Sequence, residues 1–198
     1  MSRPFVFLAV IVCLWVNGTW ANTHSLVRQS TVSDCGPAAL ATLLNYYLDV
    51  PANEDELARL SGVNSTGTTL IGLEAAAKAK GCGADSFRMN LSTLRRQLAS
   101  YPAPLLVRLL NPEPHFVLVL AIENNTVFVA DPATGNSLLP EKRFLERWLI
   151  PRTNEGYVFI AARSDGRTNV ARRDEIIGEL RRQIQALQTQ RLAPAMRR

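Results

Sequence analysis

RQSTVSDCGPAALATLLNYY, residues 28–47, decides how this chain is read. From position 35 its apolar residues Ala39, Leu40, Leu43, Leu44 and Tyr47 recur at helical spacing. Pro37 falls in the first turn, where a missing N–H costs nothing. A helix is therefore predicted over 35–47, and a cysteine opens it. Structural cysteines more often sit among apolar side chains; this one stands between Asp34 and Gly36. The first N–H groups of a helix carry partial positive charge, which lowers a thiol pKa and raises the thiolate fraction at neutral pH. Cys35 is the candidate nucleophile, and the rest of the chain has to supply its partners.

The sequence holds two histidines. His24 lies in an N-terminal extension. His115 opens PHFVLVLAIENNTVFVADPATG, residues 114–135. A lone histidine at a strand end is usually a structural side chain. Here it is the only one in the folded region, it precedes a rigid apolar strand, and the return strand ends at Asp131. Cysteine, histidine and aspartate are the set a thiol nucleophile needs, with the aspartate fixing the imidazole tautomer. Gln29 is the fourth candidate: its amide N–H₂ and the Cys35 backbone N–H would be oxyanion donors, each worth about 3 kcal/mol of barrier.

One geometric condition follows. A plain two-residue turn at Asn124-Asn125 pairs residues whose numbers sum to 249, which sets Asp131 opposite Leu118 and off the His115 face. The triad requires an odd loop, a bulge, or Asp131 outside the ladder. The hairpin is predicted not to be a clean two-residue one.

Around these residues, helices come first and strands second. PANEDELARLSG, TTLIGLEAAAKAKG and NLSTLRRQLASY read as helices, the first capped by Asn53 and stopped at Gly62. ADSFRM reads as a short strand, with Cys82 in the turn before it. PLLVRLL, HFVLVLAIE, TVFVAD and GYVFIAAR are strands bounded by Pro, Asn and Gly. EKRFLERW is one or two helical turns. The expected class is α+β, with N-terminal helices packed on a C-terminal antiparallel sheet.

Residues 1–21 read as a signal peptide. A single Arg precedes about a dozen apolar residues, too few to span a bilayer, and Thr19-Trp20-Ala21 offers a cleavage site. Residues 22–163 then form the domain, with 13 basic and 13 acidic side chains. That neutrality argues against a nucleic-acid groove. Residues 164–198 hold 8 basic and 4 acidic side chains, and Ile177, Leu180, Ile184 and Leu187 form a narrow stripe. This basic amphipathic helical tail is expected to stand apart. It would be ordered by another copy, a secretion component or an anionic membrane surface. Cys35 and Cys82 are expected not to pair. No His/Cys cluster has metal-ligand spacing.

Together, QSTVSDCGPAALATLLNYY and PHFVLVLAIENNTVFVADPATG resemble the bacteriocin-processing, double-glycine leader peptidases, a branch of the papain-like cysteine peptidases. The resemblance runs from about Ser25 to Arg163. It implies a papain-like fold with Cys35 as nucleophile, His115 as acid/base, Asp131 as orienter and Gln29 as oxyanion donor, without metal or cofactor. It also implies cleavage of a peptide after small residues, Gly-Gly or Gly-Ala, through a thioester acyl-enzyme. In that family the peptidase usually sits on an ABC exporter. This sequence has no phosphate-binding Gly-rich loop, so the expectation is a stand-alone exported peptidase, periplasmic or extracellular, with or without membrane association. Two alternatives use the same residues: an amidase or acyl transferase, and a non-cleaving peptide-binding accessory for secretion or assembly.

Overall fold

The computed structural model describes residues 25–192 of the chain, so the expected signal peptide lies outside the described residues. Three helices come first: α1 (Cys35–Tyr47), α2 (Glu54–Ser61) and α3 (Leu70–Ala79). The Asn53 side chain accepts from the Glu56 N–H, and Gly62 ends α2 in the left-handed conformation (φ 66°). Then follow β1 (Cys82–Asn90), α4 (Leu91–Ser100), β2 (Leu105–Leu109), β3 (His115–Glu123), β4 (Thr126–Asp131), β5 (Gly135–Pro140), α5 (Glu141–Trp148), β6 (Glu155–Arg163) and α6 (Val170–Leu192).

The strands form one antiparallel sheet in the order β1-β6-β2-β3-β4-β5. The α+β class holds, with two refinements. Cys82 begins the edge strand β1 rather than a turn, and GNSLLP, whose alternation is weak, is the other edge, β5. The sheet is also covered on both faces. Leu40, Leu44, Leu73 and Leu118 belong to one core layer; Leu94, Leu98, Val117, Val119, Phe144 and Trp148 belong to the other. A strand buried on both sides needs no polar alternation, which is why FVLVLAI reads as a continuous apolar run.

The β3–β4 hairpin decides the site. Its turn is a two-residue one, with Asn124 and Asn125 both left-handed (φ 47° and 59°), the mirror-image turn that suits a twisted hairpin. From there Glu123 pairs Thr126, Ile122 pairs Val127 and Ala121 pairs Phe128. The register then slips by one: Val119 pairs Val129 and Leu118 pairs Ala130. Leu120 is the extra residue of a β-bulge, and both it and Ala121 lie in the helix-side core. Of the three ways to bring Asp131 to the His115 face, the fold uses the bulge.

Composition led to the expectation that the chain beyond Arg163 stands apart; instead, α6 packs on the domain. Asn169 N–H donates to the Tyr47 carbonyl (2.7 Å), and Ile176, Ile177 and Leu180 are buried in the same core layer as α1. The reason is in the stripe itself: its first half packs into the core layer that α1 and β3 share. Ile184, Leu187 and the last residues lie outside what the structure describes at side-chain level.

Candidate active site

A 3-10 turn, Val32–Asp34, runs directly into α1, so the Cys35 thiol sits on the helix's first N–H groups. The Asp34 carboxylate accepts from the Thr31 hydroxyl (2.6 Å) and makes no helix cap. Gly36 is required by space. A Cβ there would stand 2.2 Å from the Thr68 methyl and 3.2 Å from the Phe116 ring, so this side chain and the strand press directly on the helix start.

His115 opens β3, and its Nε2 lies 2.8 Å from Asp131 Oδ1. The same oxygen accepts the Ala133 N–H (2.8 Å), which fixes the carboxylate from behind. Nδ1 is left as the ring nitrogen for Cys35, to which His115 is hydrogen-bonded. Only 16% of the His115 side chain and 13% of the Asp131 side chain are exposed, so water screens the pair weakly.

The electrostatics follow. Burial pushes the Cys35 thiol up, but hydrogen bonds from His115 and the Phe116 N–H, the imidazolium charge and the Gly36 N–H outweigh it, and the pKa falls below its ordinary value. Burial pushes His115 down, yet Asp131 and Cys35 raise it to about 9. Burial likewise works against the Asp131 carboxylate, and His115, Ala133 and Thr134 bring it below the ordinary range. Thiolate and imidazolium stabilise each other. The arrangement therefore favours a charged nucleophile and a proton donor side by side.

Gln29 is brought close by its backbone. Its N–H donates to the Pro132 carbonyl (3.2 Å), and Arg28 Nη2 to the Ala133 carbonyl (2.6 Å), which ties this segment to the turn after Asp131. Its side-chain Nε2 donates to the Thr31 carbonyl (2.9 Å) and makes no hydrogen bond to Cys35 or His115. One Nε2 proton remains free.

Beside Cys35 runs a groove of about 220 Å³, walled by Val32, Ser33, Ser65–Thr68 and Phe116. Arg108 and Glu113 bring opposite charges to it, and the Arg108 guanidinium lies 5.9 Å over the Phe116 ring. Sequence reasoning missed Thr68, Arg108 and the Ala133 N–H. For Ala133 a signal exists, the Asp-Pro-Ala-Thr turn after a strand; the other two are set only by packing. Among the described residues no cluster of His, Cys, Asp or Glu is arranged to hold a metal ion.

This chain belongs to the peptidase C39 family, whose sequence profile matches residues 23–164. An uncharacterised protein of Methanothermobacter marburgensis is 43% identical over 110 residues, 56% of this chain and 72% of the relative. A probable functional amyloid protease, FapD of Pseudomonas fluorescens, is 30% identical over 133 residues, 63% of this chain and 57% of the relative. Lactococcin and pediocin transport and processing proteins also match. Among solved structures, the peptidase domain of Streptococcus ComA, a bifunctional ABC transporter of a quorum-sensing pathway, superposes with a TM-score of 0.61. It is 25% identical, with 71% of this chain and 98% of that domain covered. The protein is a cysteine peptidase with a papain-like C39 fold.

Proposed function

We propose that this peptidase cleaves an exported peptide or protein after small residues, Gly-Gly or Gly-Ala, with Cys35, His115, Asp131 and Gln29 in the roles the sequence assigns them. One observation carries the reading: a helix-opening thiol, an imidazole and a carboxylate are linked in series, and the thiol lines the groove.

In this mechanism the Cys35 thiolate attacks the scissile carbonyl. The Cys35 backbone N–H and the free Nε2 proton of Gln29 receive the developing oxyanion. The His115 imidazolium protonates the leaving amine as the C–N bond breaks, which leaves a thioester. Neutral His115 then deprotonates water, the water oxygen attacks the thioester, and the thiolate and imidazolium are restored. Asp131 stays ionised and holds the ring.

The groove is small and Thr68 and Phe116 are among its walls, which suits residues without side chains before the cut. Relatives that process secreted peptides or an amyloid system support an exported substrate. The basic, apolar N-terminus supports a location outside the cytoplasm.

The test is cleavage of peptides carrying Gly-Gly, Gly-Ala or Val-Val before the cut, by wild type and Cys35→Ala, followed by mass spectrometry. Cleavage confined to the first two, absent in Cys35→Ala, is expected. Transfer of the acyl group to an added amine in preference to water, or equal cleavage after Val-Val, overturns it.

A further inference from the structure

The β-bulge that brings Asp131 to His115 leaves one peptide group outside the ladder, that of Leu120. A buried carbonyl without a partner is costly. This one is met by a side chain from outside the region the family profile covers: Arg173 of α6 donates from Nε to the Leu120 carbonyl at 3.0 Å. The rest of the guanidinium is spent nearby. Nη1 reaches the Tyr101 carbonyl (3.0 Å), and Nη2 reaches Leu98 (2.7 Å) in the last turn of α4.

Arg173 is half-buried and, among the described residues, makes no contact ion pair; its hydrogen bonds there go to backbone carbonyls. Three orphan acceptors matched by one planar fork is a use that lysine cannot reproduce. A second clasp lies two turns on, where Arg181 is bidentate on Glu123 at the hairpin end (2.6 and 3.0 Å). Both hold the end of the hairpin remote from the chemistry, while His115 and Asp131 occupy the other.

We propose that Arg173 is a positioning residue for the peptidase: by satisfying the Leu120 carbonyl it holds the one-residue register offset that sets Asp131 against His115. Without it, the hairpin gains by removing the bulge and pairing in the plain register of its two-residue turn. That register turns Asp131 to the opposite face. The helix after the family domain is in this view part of the catalytic framework. The inference rests on the catalytic reading of His115 and Asp131 above.

The experiment uses the full chain with Arg173→Met and Arg173→Lys, and Arg172→Met as the control on the same helix. The His115 ring is titrated by NMR, assigned against His24→Gln, and peptide cleavage is measured in parallel. In Arg173→Met, kcat/KM should fall on the order of 10²-fold, mainly in kcat. The His115 midpoint should move from about 9 toward its ordinary 6.5. Arg173→Lys should recover part of both, and Arg172→Met should change neither. In an Asp131→Asn background, Arg173→Met should add little.

A folded Arg173→Met protein with an unmoved His115 titration overturns the proposal, as does full multiplicative loss in the double variant. If Arg173→Met does not fold, Arg173→Lys carries the same measurements. The ring titration needs no substrate. It therefore still decides this point if Cys35→Ala retains cleavage and the catalytic reading fails.

Discussion

Cys35 and Cys82 are buried almost equally, 7% and 4% exposed, and neither is in a disulfide. Their thiols are nevertheless driven in opposite directions. Burial raises Cys82, and the neighbouring Arg163 charge does not offset it because the Arg163 guanidinium is taken up by Asp165 (2.9 and 2.7 Å). Burial raises Cys35 too, but an imidazole and two backbone N–H groups reverse the sign. Burial by itself makes a thiol inert; a helix start and a charged partner make it a nucleophile.

Removing either sulfur breaks the comparison most directly. Cys35→Ala is expected to cost kcat/KM on the order of 10⁴-fold or more, while Cys82→Ala stays within about twofold. Cleavage of a Gly-Gly peptide measures both. Equal losses would show that the difference between the two sites is not functional.

Asp131→Asn should come next, at about 10²- to 10⁴-fold, since the amide holds the ring in the wrong tautomer while leaving Cys35 in place. A pH profile adds the sign. Activity should rise through the depressed Cys35 pKa and fall near the His115 value of about 9, and Asp131→Asn should draw that upper limb to lower pH.

Alkylation by iodoacetamide sharpens the contrast without any substrate. At pH 7 Cys35 should react tens of times faster than Cys82, as expected if its thiolate dominates. His115→Ala should slow Cys35 and make its rate climb toward the ordinary thiol pKa of 9.0. A Cys35 rate indifferent to His115 would place the whole effect on the helix N-terminus.

The smallest effect concerns stability. His115, raised in the folded state from 6.5 to about 9, contributes stability that is full below 6.5 and lost as pH rises through 9. Cys35, lowered in the folded state, contributes stability that is full above 9.0 and lost as pH falls through its folded value. Below 9 and above 6.5, at pH values where the folded Cys35 thiol is ionised, both states of the pair bind one proton, so the two slopes cancel. Wild-type urea denaturation should be nearly flat there. Cys35→Ser removes the compensation, and stability should then decline with pH, by at most about 1.4 kcal/mol per unit, up to the His115 value that Asp131 alone sustains.

How much of this was legible beforehand differs by element. The helix from Cys35 to Tyr47 was readable to the residue, because a Pro at the first turn and an uninterrupted apolar face fix both ends locally. Cys35 and His115 were readable as candidates because few cysteines and histidines exist in the domain, and Asp131 because it ends the strand that returns beside His115. Gln29 was readable only beside Cys35, and its side chain rests on Thr31 rather than on the thiol.

By itself, then, the sequence determined the α+β class, the helix-borne thiol and the condition that the hairpin must break its own parity. Those are consequences of local propensity, period and chain geometry. The tertiary structure alone decided how the condition is met and what holds it. A bulge at Leu120 and a docked α6 both depend on contacts between residues more than fifty positions apart, Arg173 on Leu120 above all. A basic helix with a narrow apolar stripe carries the same sequence signal whether it stands free or packs. Only the apolar surface beside β3 and a carbonyl left outside the ladder distinguish the two, and neither exists until the sheet has formed.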